Sequence, residues 1–407
     1  MDSVTTALVK PDLGARTALS YTYVAVLFAM GASMAFFAPL MLGVIAAQYS
    51  LSLSAAGGIV TLEMVLTSVT VFALAKPLSR LSLSRVSTGA AAIALSVQLV
   101  SCLDLSLGAF VAIRAISGIA CGFLYAGAVY WASLHRHGVR MMASAFFLAN
   151  LLTGVCMGIL PMAIEENGAK VFFYSQVILF VLPLLISFFS GNLVRPGGAQ
   201  FVQRSMRGSS ANWFAIKLLL VCSVLCNLAM AMLWTYSEFL AQVRDFDAKT
   251  IGIILGLTTL FSIGGSILAG IFDRRLGVVM PLSIGLLVGA LAGVMMSAGQ
   301  SLFLYATAMF LYGAAAFFVM PFVIGSASAL DSGGCAANLV GGAAFLAGAV
   351  APALGGLLSD VVSGDAVGWT ACASCVLAAI CVFIVRRSLD APQLTPSNKN
   401  NILGGES

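Results

Sequence analysis

Val171-Phe172-Phe173-Tyr174-Ser175-Gln176-Val177-Ile178-Leu179-Phe180-Val181-Leu182-Pro183-Leu184-Leu185-Ile186-Ser187-Phe188-Phe189-Ser190-Gly191-Asn192 carries no charged side chain; the nearest charges are Lys170 before it and Arg195 after it. A helix rises about 1.5 Å per residue, so about 20 such residues cross the roughly 30 Å hydrocarbon layer of a bilayer. Lipid offers no partner for backbone N–H and C=O groups, and a helix satisfies them internally. The stretch therefore reads as a transmembrane helix. The same pattern recurs outward in both directions. Spans are expected near 18–48, 54–75, 86–103, 106–133, 141–163 and 171–192, then near 213–240, 249–271, 277–297, 301–328, 335–359 and 366–386.

Composition agrees. Hydrophobic residues make up 60% of the 407 and charged residues 9%, against about 25% charged in a soluble domain. So few charges cannot cover a water-facing surface, and lipid is the expected partner of most of the outside. The Lys and Arg residues sit in the gaps between apolar runs, which excludes a basic patch for nucleic acid. Sixteen of them (Lys10, Arg16, Lys76, Arg80, Arg85, Arg136, Arg140, Arg195, Arg204, Arg207, Lys217, Arg274, Arg275, Arg386, Arg387 and Lys399) fall before span 1, in even-numbered connections or the span ends beside them, or at and after the end of span 12. Only Lys170, Arg244 and Lys249 fall on the other side, which puts both termini in the cytoplasm by the positive-inside rule. The first apolar stretch is too long for a cleaved signal peptide and is expected to stay as an anchor. Residues 193–212, rich in Arg, Gly, Ser and Gln, read as a cytoplasmic linker between bundles at 1–192 and 213–388, with 389–407 a flexible cytoplasmic tail.

Cys121, Cys156, Cys222, Cys226 and Cys381 lie in apolar stretches, where the thiol acts as a small hydrophobe. Cys372 and Cys375 make a lone CxxC inside an apolar helix, which gives no zinc site. No metal and no cofactor is expected. A Gly-rich phosphate loop and a His-Glu-x-x-His are both missing from the sequence, so neither ATP-driven pumping nor metal-dependent enzymology is expected of this chain.

Five short segments carry a resemblance. Between spans 8 and 9 stands Gly270-Ile271-Phe272-Asp273-Arg274-Arg275-Leu276-Gly277, and between spans 2 and 3 a degenerate copy, Lys76-Pro77-Leu78-Ser79-Arg80-Leu81-Ser82-Leu83-Ser84-Arg85. Span 4 has Arg114-Ala115-Ile116-Ser117-Gly118-Ile119-Ala120-Cys121-Gly122, and span 11 has Ala347-x-x-x-Ala351-Pro352-Ala353-Leu354-Gly355-Gly356. Span 7 ends Thr235-Tyr236-Ser237-Glu238-Phe239-Leu240. The first two are similar to the Gly-x-x-x-Asp-Arg-x-x-Gly signature of the major facilitator superfamily, and span 4 resembles that family's Arg-x-x-x-Gly-x-x-x-Gly helix. The segment in span 11 is similar to a drug-exporter pattern that normally sits in span 5. The end of span 7 resembles a sugar and metabolite exporter segment, with Glu238 where proline is usual.

The resemblance implies an all-α membrane protein of twelve transmembrane helices in two six-helix bundles, the major facilitator fold. It implies alternating access around a midplane site, and a drug or metabolite exported against protons; compactness and the lack of large extramembrane domains point to a cell inner membrane. It also implies a conformational switch at Arg80, Arg85, Gly270, Asp273, Arg274 and Gly277, and helix packing through Gly118, Gly122, Pro352, Gly355 and Gly356. Two rival readings stay open. One is a proton-coupled uptake symporter for a small organic anion or sugar, and the other is a receptor or scaffold that transports nothing.

Two ionisable residues fall deep in the expected bilayer, Glu63 in span 2 and Arg114 in span 4. They lie roughly 15 Å and about 12 Å from the same end. Such charges face a partner or a cavity. Burial favours a neutral acid and a nearby guanidinium favours the carboxylate, so a carboxyl between the two effects can carry the coupling proton. A static ion pair that fixes packing is the other reading. Tyr125, on the face of Arg114, and Asn150, Asn227 and Asn338 are candidates for the substrate cavity. Each Asn can equally serve as a helix–helix hydrogen bond. Trp234, Tyr236 and Glu238 read either as an exit gate or as an interfacial belt.

Overall fold

The computed structural model describes residues 13–74, 78, 81–133, 138–190, 212–272, 278–330 and 335–389. Every regular element among them is helical. In chain order these are α1 (Leu13–Gly31), α2 (Ser33–Tyr49), α3 (Leu53–Leu74), α4 (Leu83–Ser101), α5 (Leu107–Ser133), α6 (Gly138–Asn167) and α7 (Lys170–Ser190). There follow α8 (Trp213–Thr235), α9 (Ser237–Gln242), α10 (Ala248–Phe272), α11 (Val279–Ala298), α12 (Leu302–Leu330), α13 (Cys335–Val361) and α14 (Ala366–Leu389).

Twelve stretches are long and apolar enough to span a bilayer, and they fall where the apolar runs place them. The lipid-facing side chains are large and apolar: Phe189 is 71% exposed and Phe303 77%, a surface that water would not tolerate. Two spans differ from the expectation of one unbroken helix. Span 1 (Ala18–Tyr49) is interrupted at Ala32, which separates α1 from α2. The run expected over 213–240 ends at Thr235, and after Tyr236 the chain restarts as the single turn-and-a-half of α9. Both breaks hold the same dihedrals, φ −98° and ψ 6° at Ala32, φ −97° and ψ 3° at Tyr236. Such bridge-region residues interrupt a helix while leaving its apolar face continuous.

The chain packs as two compact units. The first gathers α1–α7 and α9 with Trp234–Leu260 and Ala349–Gly364. In it α1 packs on α5 and α6, α3 on α5 and α2, and α4 on α5 and α7. Its core runs through Tyr23, Leu27, Phe28, Leu124, Trp131 and Phe180, all buried. The second unit takes α8 through Leu233, α10 from Phe261, α11, α12, α13 through Gly348, and α14, with α11 packed on α12 and α14.

In the first unit α5 presents Gly118 and Gly122, with no side chain of their own, to α3. A Cβ on Gly118 would run into the backbone carbonyl of Glu63, and one on Gly122 would stand 2.6 Å from Thr70 Cβ and 2.8 Å from Thr67 O. Only glycine permits this approach, and it sets the register that brings Glu63 opposite Arg114.

Candidate functional site

α3 places Glu63 and Thr67 one turn apart on its buried face. The Thr67 hydroxyl donates to the Glu63 carbonyl at 2.9 Å and lies 3.0 Å from the Gly118 carbonyl of α5. This ties the two helices at the level of the acid. Arg114 lies one turn before Gly118, so its side chain reaches the same layer.

There the guanidinium is 1% exposed and the carboxyl 2%, with Arg114 Nη1 3.6 Å from Glu63 Oε2. The pair is loose, and other groups complete the shell. Arg114 Nη2 donates to Ser101 Oγ at 2.7 Å and to Gln98 Oε1 at 3.2 Å, both on α4. Its carbon centre lies 5.5 Å from the Phe110 ring and 5.8 Å from the Phe173 ring. Tyr49 packs against Phe110 with centroids 5.0 Å apart, which closes the aromatic side. Arg114 Nε, Glu63 Oε2 and Ser117 Oγ have no hydrogen-bond partner. The site thus holds unsatisfied donors and an acceptor side by side in a low-dielectric layer. A small polar group or a proton is what such a layer can take up.

Sequence reasoning found the acid and the base because charges at membrane depth are rare. It missed Gln98, Ser101 and Ser117. Gln98 and Ser101 lie one turn apart on α4, and Ser117 one turn after Arg114, a spacing that marks one face. Uncharged polar residues are too common in such helices for that spacing to single them out.

The remaining candidates are scattered. Tyr125 is half-buried on α5, its ring 5.1 Å from that of Phe28, and its backbone N is what a Cβ on Gly31 would strike. Asn150, buried on α6, donates to the Phe146 carbonyl one turn back at 2.9 Å. Asn227, in the second unit, donates to Ser223 O at 2.9 Å and lies 3.3 Å from Met320 Sδ. Asn338 belongs to α13, and its side chain is outside the described residues. Of the switch residues, Arg85 is exposed in the first turn of α4 and Gly270 is helical in α10, while Arg80, Asp273, Arg274 and Gly277 lie outside the described residues.

A second set of contacts joins α3, α9 and α13 at the end of the first unit where α3 begins. The Ser54 N–H donates to Asp360 Oδ2 at 2.9 Å, the Ala353 N–H to Thr61 Oγ1 at 2.9 Å, and the Tyr236 hydroxyl to the Pro352 carbonyl at 2.6 Å. A Cβ on Gly356 would lie 2.6 Å from Leu53 O and from Ser54 Cα, and one on Gly355 would strike the Tyr236 ring. Trp234 Nε1 donates to the Phe36 carbonyl at 3.0 Å. Trp234, Tyr236 and Glu238 are all buried here, which does not fit an exposed interfacial belt.

The fold has known counterparts. Aligned with a mutant form of the nucleoside transporter NupG, the chain gives a TM-score of 0.69 at 11% identity, covering 91% of this chain and 99% of that one. With a D-xylose-proton symporter the values are 0.71 and 15%, over 94% and 99%. With a bacterial homologue of the human lysosomal transporter Spinster, inward-facing and unoccupied, they are 0.67 and 12%, over 93% and 98%. The fold is the major facilitator fold. No family model matches the sequence, and no curated protein does. The chain is therefore a multi-pass, all-helical protein with the fold of secondary transporters, at identities that speak for the fold alone.

Proposed function

We propose that this protein is a secondary active transporter that exports a small organic drug or metabolite by alternating access, driven by protons entering through Glu63. Both termini lie in the cytoplasm, and the membrane is a cell inner membrane. Two six-helix repeats, 1–192 and 213–388, joined by 193–212, make the rocking halves.

The observation that carries this reading is the environment of Arg114. Its Nη2 already serves Gln98 and Ser101, and two rings flank it. When Glu63 takes up a proton, the guanidinium loses its counter-charge but keeps two hydrogen bonds and two ring faces, which lessens the cost of the unpaired charge. Fold likeness to a D-xylose-proton symporter also supports proton coupling. Both terminal nitrogens of Arg114 already face Glu63, Ser101 or Gln98, and few other charges lie in the spans, which favours an uncharged or amphipathic solute over an organic anion.

The test is flux in liposomes. Purified protein is reconstituted with a pH-sensitive dye inside, and candidate drugs and metabolites are added one at a time. The wild type moves protons with at least one of them, and Glu63→Gln, still monodisperse in detergent, loses that movement at least about ten-fold, the factor that 1.4 kcal/mol represents. Unchanged proton movement in a folded Glu63→Gln protein would remove the carrier role.

A further inference from the structure

A second buried acid stands apart from the Glu63–Arg114 layer. Glu238 lies in α9, beyond the span that ends at Thr235, and is 7% exposed. Its Oε1 accepts from Gln242 Nε2 at 3.1 Å, while its Oε2 is buried with no hydrogen-bond partner. The surroundings are fixed. Ser237 Oγ donates to Trp234 O at 2.7 Å, Trp234 is held to Phe36 O on α2, and Tyr236 is wedged against α13.

The titratable and charged groups on the packed elements are few. They are Tyr49 on α2, Glu63 on α3, Cys335 and Asp360 on α13, Tyr236 at the start of α9, and Arg244 with Asp245 in the turn after it. Asp360 takes the Ser54 N–H, and Arg244 Nη1 donates to Leu240 O at 3.1 Å. Burial itself dominates at Glu238 and pushes its carboxyl up to about 7.

We propose that Glu238 is a second proton-binding site, which holds its proton while α9 is packed against α2 and α13 and gives it up to water when that packing opens. The geometry supplies the reason. A carboxylate in a dry layer with an unsatisfied oxygen is strongly disfavoured, and protonation removes the charge. Once wetted, the same group returns to the ordinary glutamate value near about 4.3. The sign follows. Packing over Glu238 is at full strength below about 4.3 and is weakened as pH rises through about 7. The site does not depend on Glu63 acting as a carrier.

Infrared titration of the detergent-purified full chain tests this through the C=O stretch of protonated carboxyls. In the wild type a buried-acid band fades with a midpoint near neutrality. In Glu63→Gln the band is kept, and it disappears when Glu238→Gln is added. A neutral-range band that persists in the double variant, or no such band in Glu63→Gln, overturns the proposal. Should Glu238→Gln fail to fold, hydrogen exchange in wild-type α9 decides. Corrected for intrinsic rates, exchange is expected to quicken as pH rises from about 4.3 to about 7 and to level off above that, and pH-independent opening across this range overturns the proposal equally.

Discussion

At the scale of single residues, Arg114 shows why this layer is specified so tightly. A guanidinium presents donors in a planar fork, and here the fork reaches Glu63, Gln98 and Ser101 while its faces meet Phe110 and Phe173. Lysine has the charge but neither the fork nor the stacking plane. Removing the cation altogether, as in Arg114→Met, leaves Glu63 buried and unpaired, which costs about 3–5 kcal/mol. The double variant Arg114→Met with Glu63→Gln restores neutrality and is expected to recover much of that loss. Thermal unfolding of the four proteins in one detergent measures it; strictly additive losses would mean that the two groups do not interact. This layer was only half legible in the sequence. Charges in a lipid-facing composition announce themselves, whereas Gln98 and Ser101 look like any polar residue in a helix and gain meaning only when α4 is seen against α5.

Among elements, the α3–α5 contact illustrates what small residues do where no water drives association. Lipid tails are as apolar as the helices, so close backbone approach and hydrogen bonds such as Thr67 to Gly118 O hold the pair. Gly118→Leu puts a side chain into the Glu63 carbonyl and forces α3 away from α5. It is expected to destabilise by about 1–3 kcal/mol, as overpacking does. Gly58→Ala, whose added carbon meets nothing within 4 Å, serves as the control. It is expected to be neutral or to stabilise by up to about 1 kcal/mol. Paired melting curves check both, and equal midpoints for Gly118→Leu and wild type would show that the approach is not tight. The spans themselves were readable from hydropathy, because a bilayer fixes their length. The breaks at Ala32 and Tyr236 were not, since an apolar run reports the environment of a helix and not the dihedrals of one residue within it.

For the molecule as a whole, the first unit is unusual in including α9 and Ala349–Gly364, segments far along the chain that pack on its early helices. They are held by a seam of three hydrogen bonds: Ser54 N–H to Asp360, Ala353 N–H to Thr61, and Tyr236 hydroxyl to the Pro352 carbonyl. Gly355 and Gly356 bring the backbones into contact around it. Intramolecular hydrogen bonds contribute about 0.5–1.5 kcal/mol each, so the seam is strong enough to bias an opening equilibrium and weak enough to yield. Asp360→Ala combined with Thr61→Val removes two of the three. Opening is then expected to become easier by about 1–3 kcal/mol, roughly five- to a hundred-fold in population. Hydrogen exchange reads this directly. If the seam opens as a unit, the first turn of α3 and residues 349–364 quicken together, although the substitutions touch only two positions. Faster exchange confined to Ser54 and Ala353 would mean that Asp360 merely caps the start of α3 and that Thr61 merely satisfies a backbone group freed near Pro352. Joint quickening would mean that these bonds keep that end of the unit shut. Whichever pattern appears should also differ between acid and neutral pH if Glu238 lies under the same closure, because loss of its proton pushes in the same direction as loss of the seam.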